Sequence, residues 1–157
     1  MPVFNIQQIA ICPRDPKAAA ELLSAMGAQS WASDTVSAEG KVYGISGANV
    51  GELAFNYDLG AKGLEFEILH YKSGPNWMAD KPASVSHLGM HCTHEELTAW
   101  KEFFAAHGIG IAQEVVTSNH TNPVIAGKRN YRYCIFDTRA ILGVDVKFIV
   151  RIHSAAE

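Results

Sequence analysis

The chain runs through one order of elements twice. Gln8 lies in a strand-like run, Phe4–Cys12, and His87 lies 79 residues later in a second one, Val85–Cys92. A helix-forming stretch follows each. In the first, Asp15 is placed to cap the helix and Pro16 to open it. The second starts at Thr93 or His94 and runs to Ala106. Gly27 and Gly108, 81 residues apart, fit the left-handed position that stops a helix. Asp58 and Asp137 repeat at 79 residues, Gly63 and Gly143 at 80. Each copy then continues in strands: Lys41–Ser46, Glu52–Tyr57 and Leu64–Tyr71 in the first, with a turn over 47–51, and Ala112–Thr117, Tyr131–Phe136 and Val144–Ile152 in the second. Near-constant offsets with a shared order indicate two copies of one βαβββ unit.

A unit of about 70 residues with one helix cannot cover both faces of its sheet. Two such units bury a face between them. The expected fold is therefore α+β: two tandem βαβββ modules forming a cup-shaped mixed sheet with the helices outside. The 157 residues read as a single domain, with module one at 3–72, a linker at 73–84 and module two at 85–153. The linker has loop chemistry in Ser73-Gly74-Pro75-Asn76 and Lys81-Pro82 and is anchored by Trp77.

Composition narrows the function classes. Lys and Arg number 13 against 16 Asp and Glu, a net charge of −3, with no run of like charge. This gives no basis for binding nucleic acid or acidic membranes. No apolar run approaches the roughly 18–20 residues that span a bilayer. Met1–Asn5 lacks the charged and apolar regions of a secretory signal. Three cysteines without a C-x-x-C pair suit reduced thiols in the cytoplasm.

The paired modules, with Gln8-Ile9-Ala10-Ile11, Leu64-Glu65-Phe66-Glu67-Ile68, Ser86-His87-Leu88-Gly89-Met90-His91 and Gly143-Val144-Asp145-Val146-Lys147, resemble the vicinal oxygen chelate superfamily. It includes glyoxalase I, methylmalonyl-CoA epimerase, extradiol dioxygenases and the fosfomycin- and bleomycin-resistance proteins. The resemblance spans about Phe4 to Ile152. It implies a divalent metal (Zn, Ni, Mn, Co or Fe) held in the cup by the first and last strands of each module. It places metal ligands at Gln8, Glu67 and His87, with Glu67 also catalytic. The implied activity is a glyoxalase-like metalloenzyme acting on a small oxygenated substrate as a lyase, isomerase, epimerase or dioxygenase. The alternative within the resemblance is a metal-free, antibiotic-sequestering protein of the bleomycin-resistance type. Open sheet edges and the resemblance together imply a homodimer.

The fourth ligand position departs from the pattern. Four residues beyond Gly143 stands Lys147, and a protonated lysine cannot ligate a cation. Two readings stay open: Asp145, on the same strand face, completes the metal set, or Lys147 faces Glu67 across the cup and occupies the metal's place. Lys147 and Arg151 together suit an anionic substrate. Tyr131 and Tyr133 share a strand face and offer rings and hydroxyls to the cup. Glu65 and His91 read as structural. Trp100, Phe103 and Phe104 read as core, and the loop 118–122, with His120, as a lid over the cup.

Overall fold

The computed structural model describes residues 3–126 and 128–152. Residue 153, the expected end of module two, lies outside them, as do Met1 and Pro2 of the N-terminal reading.

Module one comprises β1 (Gln8–Cys12), α1 (Pro16–Ala25), β2 (Ala32–Val42), β3 (Ile45–Asn56) and β4 (Glu65–Ser73). Module two comprises β5 (Ser84–His91), α2 (His94–Ala106), β6 (Ile111–Ser118), the short α3 (Pro123–Ala126), β7 (Tyr131–Phe136), the short α4 (Arg139–Leu142) and β8 (Asp145–Arg151). Within each module the first strand pairs in parallel with the last, and the others follow by antiparallel pairing. The modules join twice. β1 pairs antiparallel with β5, and β2 pairs antiparallel with β6. The sheet is thereby a closed eight-stranded barrel in the order β1-β4-β3-β2-β6-β7-β8-β5. One chain builds the whole cavity, and closure removes the open sheet edges on which the expectation of a dimer partly rested.

The repeat sets the register. Gln8 stands beside Glu65 and Ala10 beside Glu67; in module two His87 stands beside Asp145 and Gly89 beside Lys147. Gln8 and His87 are thus equivalent positions, as are Glu67 and Lys147.

The helix ends follow the sequence. Asp15 accepts a hydrogen bond from the Ala18 amide, and Thr93 forms a reciprocal capping box with Glu96. The aromatic stripe of α2 then packs on the outer face of module two. Leu97, Trp100 and Phe104 are buried against Phe136, Val146 and Phe148, each contributing roughly 1.5–3 kcal/mol by burial.

One element differs from expectation. The first hairpin turns at Tyr43-Gly44, both at positive φ (47° and 79°), rather than over 47–51. Two consecutive positive-φ residues make the tight turn that matches strand twist. β2 begins nine residues before Lys41, at Ala32. Its lumen-side residues include Asp34, Val36 and Ala38, a mixture too polar and too small to register as apolar alternation.

Barrel closure depends on close contact between β2 and β6. A Cβ on Gly40 would lie 2.0 Å from the Glu114 carbonyl oxygen and 2.7 Å from Val115 Cα. Backbone cannot yield that distance locally, so Gly40→Ala should lower stability by about 2–4 kcal/mol in urea denaturation. An unchanged midpoint would contradict the β2–β6 pairing.

Candidate functional site

Side chains narrow the lumen at both ends. At one end the linker folds inward: Trp77 is 2% exposed, donates through Nε1 to Asp145 Oδ2 at 3.2 Å, and stands edge-on to Tyr71. Its backbone amide donates to Gln113 Oε1. At the other end the segment before β7 carries Arg129 across the opening. Its guanidinium donates twice to Glu65, at 2.8 and 2.9 Å, over the ring of Phe55. The expected lid, residues 118–122, is tied to β2: Asp34 accepts from His120 Nδ1 and from the amides of Thr121 and Asn122. About 40 Å³ of free space remains inside, bordered by Glu67, Lys147, Tyr71 and Tyr133 and by both polar (Gln113, Thr117) and apolar side chains. That is room for a water or two.

Gln8, Glu67, His87 and Lys147 meet in this interior, all 5% exposed or less. Alternation on β1, β4, β5 and β8 turns each of them inward, and Gly89 leaves space for the Gln8 side chain, whose Cβ and Oε1 would lie 3.0 Å from an added Cβ. The Gln8 amide is oriented from two sides. Its Nε2 donates to Glu65, and its Oε1 accepts from Lys147 Nζ at 3.2 Å. Lys147 Nζ lies 3.3 Å from His87 Nε2, 3.6 Å from Glu67 Oε2 and 4.1 Å from the Tyr133 ring centre. Three groups expected as metal ligands therefore surround an ammonium. Glu67 Oε2 has no hydrogen-bond partner.

Electrostatics follow from burial and this geometry. Burial alone would raise the Glu67 pKa; the Lys147 charge and the nearby His87 ring, its Nε2 3.6 Å from Oε2, outweigh it and hold the carboxyl at about 2. Burial, reinforced by Lys147, holds His87 down at about 4, so the ring is neutral at pH 7. Its Nε2 lies 2.7 Å from Gln8 Oε1, an acceptor, and Ser86 Oγ lies 3.1 Å from Nδ1. Burial lowers the Lys147 pKa, partly offset by Glu67 and Glu65.

The remaining expected residues are spread apart. Asp145 is fully buried, but it accepts from Arg139 Nε at 3.1 Å and from Trp77 and so latches the linker end of the barrel. Tyr133 faces Lys147. Tyr131 lies at the opposite end, its ring 5.5 Å from the Arg129 guanidinium. Arg151 lies at the exposed end of β8 and donates to the Lys128 carbonyl. Glu65 is more than a structural carboxylate: it joins Arg129, Gln8 and the Tyr57 hydroxyl. Sequence reading assigned no role to Arg129 and Arg139, which sit outside the strands and carry no periodic signal, nor to Tyr57, read only as the end of a strand and found one residue beyond β3.

A divalent metal would take Gln8 Oε1, Glu67 and His87 Nε2 as donors. They converge, but on the ammonium of Lys147, which repels a cation at that point. No group of three or more His, Cys, Asp and Glu side chains able to hold a metal occurs among the described residues. With Lys147 protonated and in place, the donor set does not fit the metal that the resemblance implies. Asp145, bound to Arg139, does not complete the set of Gln8, Glu67 and His87.

Removing the cation should strand Glu67. Lys147→Met is expected to cost about 3–5 kcal/mol, and adding Glu67→Gln should recover much of the loss, both read from denaturant melts. The downward shifts also set an acid dependence. The unfolded chain binds more protons than the folded one, so stability falls with pH. The His87 contribution is lost between about 6.5 and about 4, and that of Glu67 between 4.5 and about 2. His87→Gln should flatten the upper limb of this profile; an unaltered limb would contradict a buried neutral imidazole.

No family model and no curated protein sequence matches the chain. Solved structures do. A methylmalonyl-CoA epimerase variant from Streptomyces coelicolor, in complex with 2-nitronate-propionyl-CoA, is similar at a TM-score of 0.54 and 14% identity, over 97% of this chain and 100% of that one. The epimerase of Mycobacterium tuberculosis gives 0.52 and 11%, over 98% and 94%. A methylmalonyl-CoA epimerase in complex with methylmalonyl-CoA and NH4+ gives 0.53 and 16%, over 99% and 97%. At these identities the likeness is one of architecture: two βαβββ modules in the vicinal oxygen chelate, or glyoxalase, fold.

Proposed function

We propose that this chain is a metal-free ligand-binding protein of the glyoxalase fold, in which the Lys147 ammonium takes the part of a divalent cation toward a small oxygenated ligand. The observation that carries this reading is the position of Lys147 Nζ, within 3.6 Å of Gln8 Oε1, His87 Nε2 and Glu67 Oε2. An ammonium has three N–H donors. It binds carbonyl or carboxylate oxygen through charge-assisted hydrogen bonds in a site with little water to compete. Glu67 Oε2, without a donor, is the complementary acceptor for a ligand hydroxyl.

Binding is favoured over turnover by the charge states. Glu67 at about 2 and His87 at about 4 lie far from neutrality, and acid–base groups work best with a pKa near the working pH. The epimerase neighbours support a small oxygenated acyl compound as the ligand class, and a nitrogen cation accompanies the acyl-CoA in one of those complexes. Three free thiols support a reducing compartment.

A second reading, the metalloenzyme, is favoured by the convergence of Gln8, Glu67 and His87. It requires Lys147 to lose its proton or leave. Elemental analysis of protein purified without a metal column, followed by calorimetric titration with Mn2+, Co2+, Ni2+ and Zn2+, separates the two. Wild type should contain metal well below one equivalent and show no saturable uptake. Lys147→Glu, which places a second carboxylate opposite Glu67, should gain at least about tenfold in affinity, because a cation relieves the like-charge pair. Stoichiometric metal in wild type would support the metalloenzyme instead.

A further inference from the structure

We propose that Arg129 recognises an anionic group on the ligand: its guanidinium exchanges the Glu65 carboxylate for a carboxylate that enters at this end of the barrel. This deepens the binding reading above and rests on it. A ligand larger than the roughly 40 Å³ of free lumen space must move one of the side chains that narrow its ends. Trp77 is the firmer one, 2% exposed and held through both its indole and its backbone amide. The Arg129 side chain is 14% exposed, so its fork reaches the boundary with solvent.

Arg129 can leave Glu65 without stranding it. Glu65 Oε1 also accepts from Gln8 Nε2, and Oε2 also accepts from the Tyr57 hydroxyl. Each oxygen thus keeps one donor when the guanidinium turns away, unlike a buried ion pair that has only itself. The guanidinium keeps its place over the Phe55 ring, 3.7 Å from the ring centre, with Tyr131 at 5.5 Å, as it changes partner. A planar two-pronged donor between aromatic faces is suited to a carboxylate.

The approach to this end has a matching character. Tyr131 also borders an open groove of about 480 Å³ with His91, Arg151 and the acidic Glu96, whose carboxylate already accepts from the Thr93 amide. Arg151 adds positive charge where an anion would arrive. Inside, Gln8 links the two ends of the recognition path, since one amide touches both Glu65 and Lys147. A ligand with a carboxylate beside a second oxygen would meet Arg129 first and the Lys147 ammonium deeper in the lumen.

The test uses pyruvate, a 2-oxo carboxylate, and pyruvamide, its uncharged counterpart. Both are titrated into wild type, Arg129→Gln and Arg129→Lys while the Trp77 indole N–H is followed by NMR. Wild type should prefer pyruvate by at least about tenfold, as expected for a charge-assisted fork. Arg129→Gln should bring pyruvate down to the affinity of pyruvamide, and Arg129→Lys should keep only part of the preference. The double variant Arg129→Gln/Glu65→Gln restores the charge balance and guards against misfolding; it too should lack the preference. Equal binding of the two compounds to wild type, or a preference that survives in Arg129→Gln, would overturn the role of Arg129 while leaving lumen binding intact. No Trp77 response to either compound in wild type would overturn lumen binding and this proposal together.

Discussion

An ammonium and a carboxylate, 3.6 Å apart and both almost fully buried, set the conditions for the side chains around them in the lumen. Desolvating two such ions costs several kcal/mol each, so they persist only with good partners. Lys147 has the Gln8 carbonyl and the Tyr133 ring as well as Glu67. His87, pressed against the same charge, stays neutral. Further along the lumen Glu65 is matched by Arg129, and Asp145 by Arg139. Each of these three carboxylates is thus matched by a cation, where an unpaired charge would be costly, and buried Asp34 has His120 as its partner. A divalent ion would add two positive charges beside a pair that is already matched.

The duplication explains why the pair forms where it does. Glu67 and Lys147 occupy the same position in the two modules, and closure of the barrel brings those positions face to face. Two carboxylates so placed would repel and draw a cation between them. A carboxylate and a lysine satisfy one another. A single side-chain difference between equivalent positions therefore converts a cation-binding geometry into one with its own built-in cation. Fold alone leaves the chemistry open; this pair of residues narrows it.

Much of this was legible before any coordinates. The 79–81-residue offsets indicate the modules, and the family resemblance, not the alternation of Leu64–Tyr71, turns Glu67 toward the cup. Lys147 stood out because counting from Gly143 lands on it. What could not be read has physical reasons. β2 carries small and polar residues on its inward face, so its first nine residues lack the apolar alternation that marks a strand. Arg129 belongs to a segment without periodicity, and its partner Glu65 lies 64 residues away, so only the closed barrel brings them together. Asp145 sat on the right face, but whether it met Lys147 or Arg139 depended on a four-residue helix, α4, that four residues of sequence do not announce.

The most direct test is a nitrogen–proton NMR spectrum of protein labelled with 15N at lysine, assigned by comparison with Lys147→Met and recorded as Mn2+ is added to one equivalent. A buried, hydrogen-bonded ammonium should give a Lys147 signal protected from exchange with water, and Mn2+ should leave it sharp. Absence of a protected Lys147 ammonium, or its broadening by a stoichiometric amount of Mn2+, would contradict a lysine standing where a metal would otherwise bind.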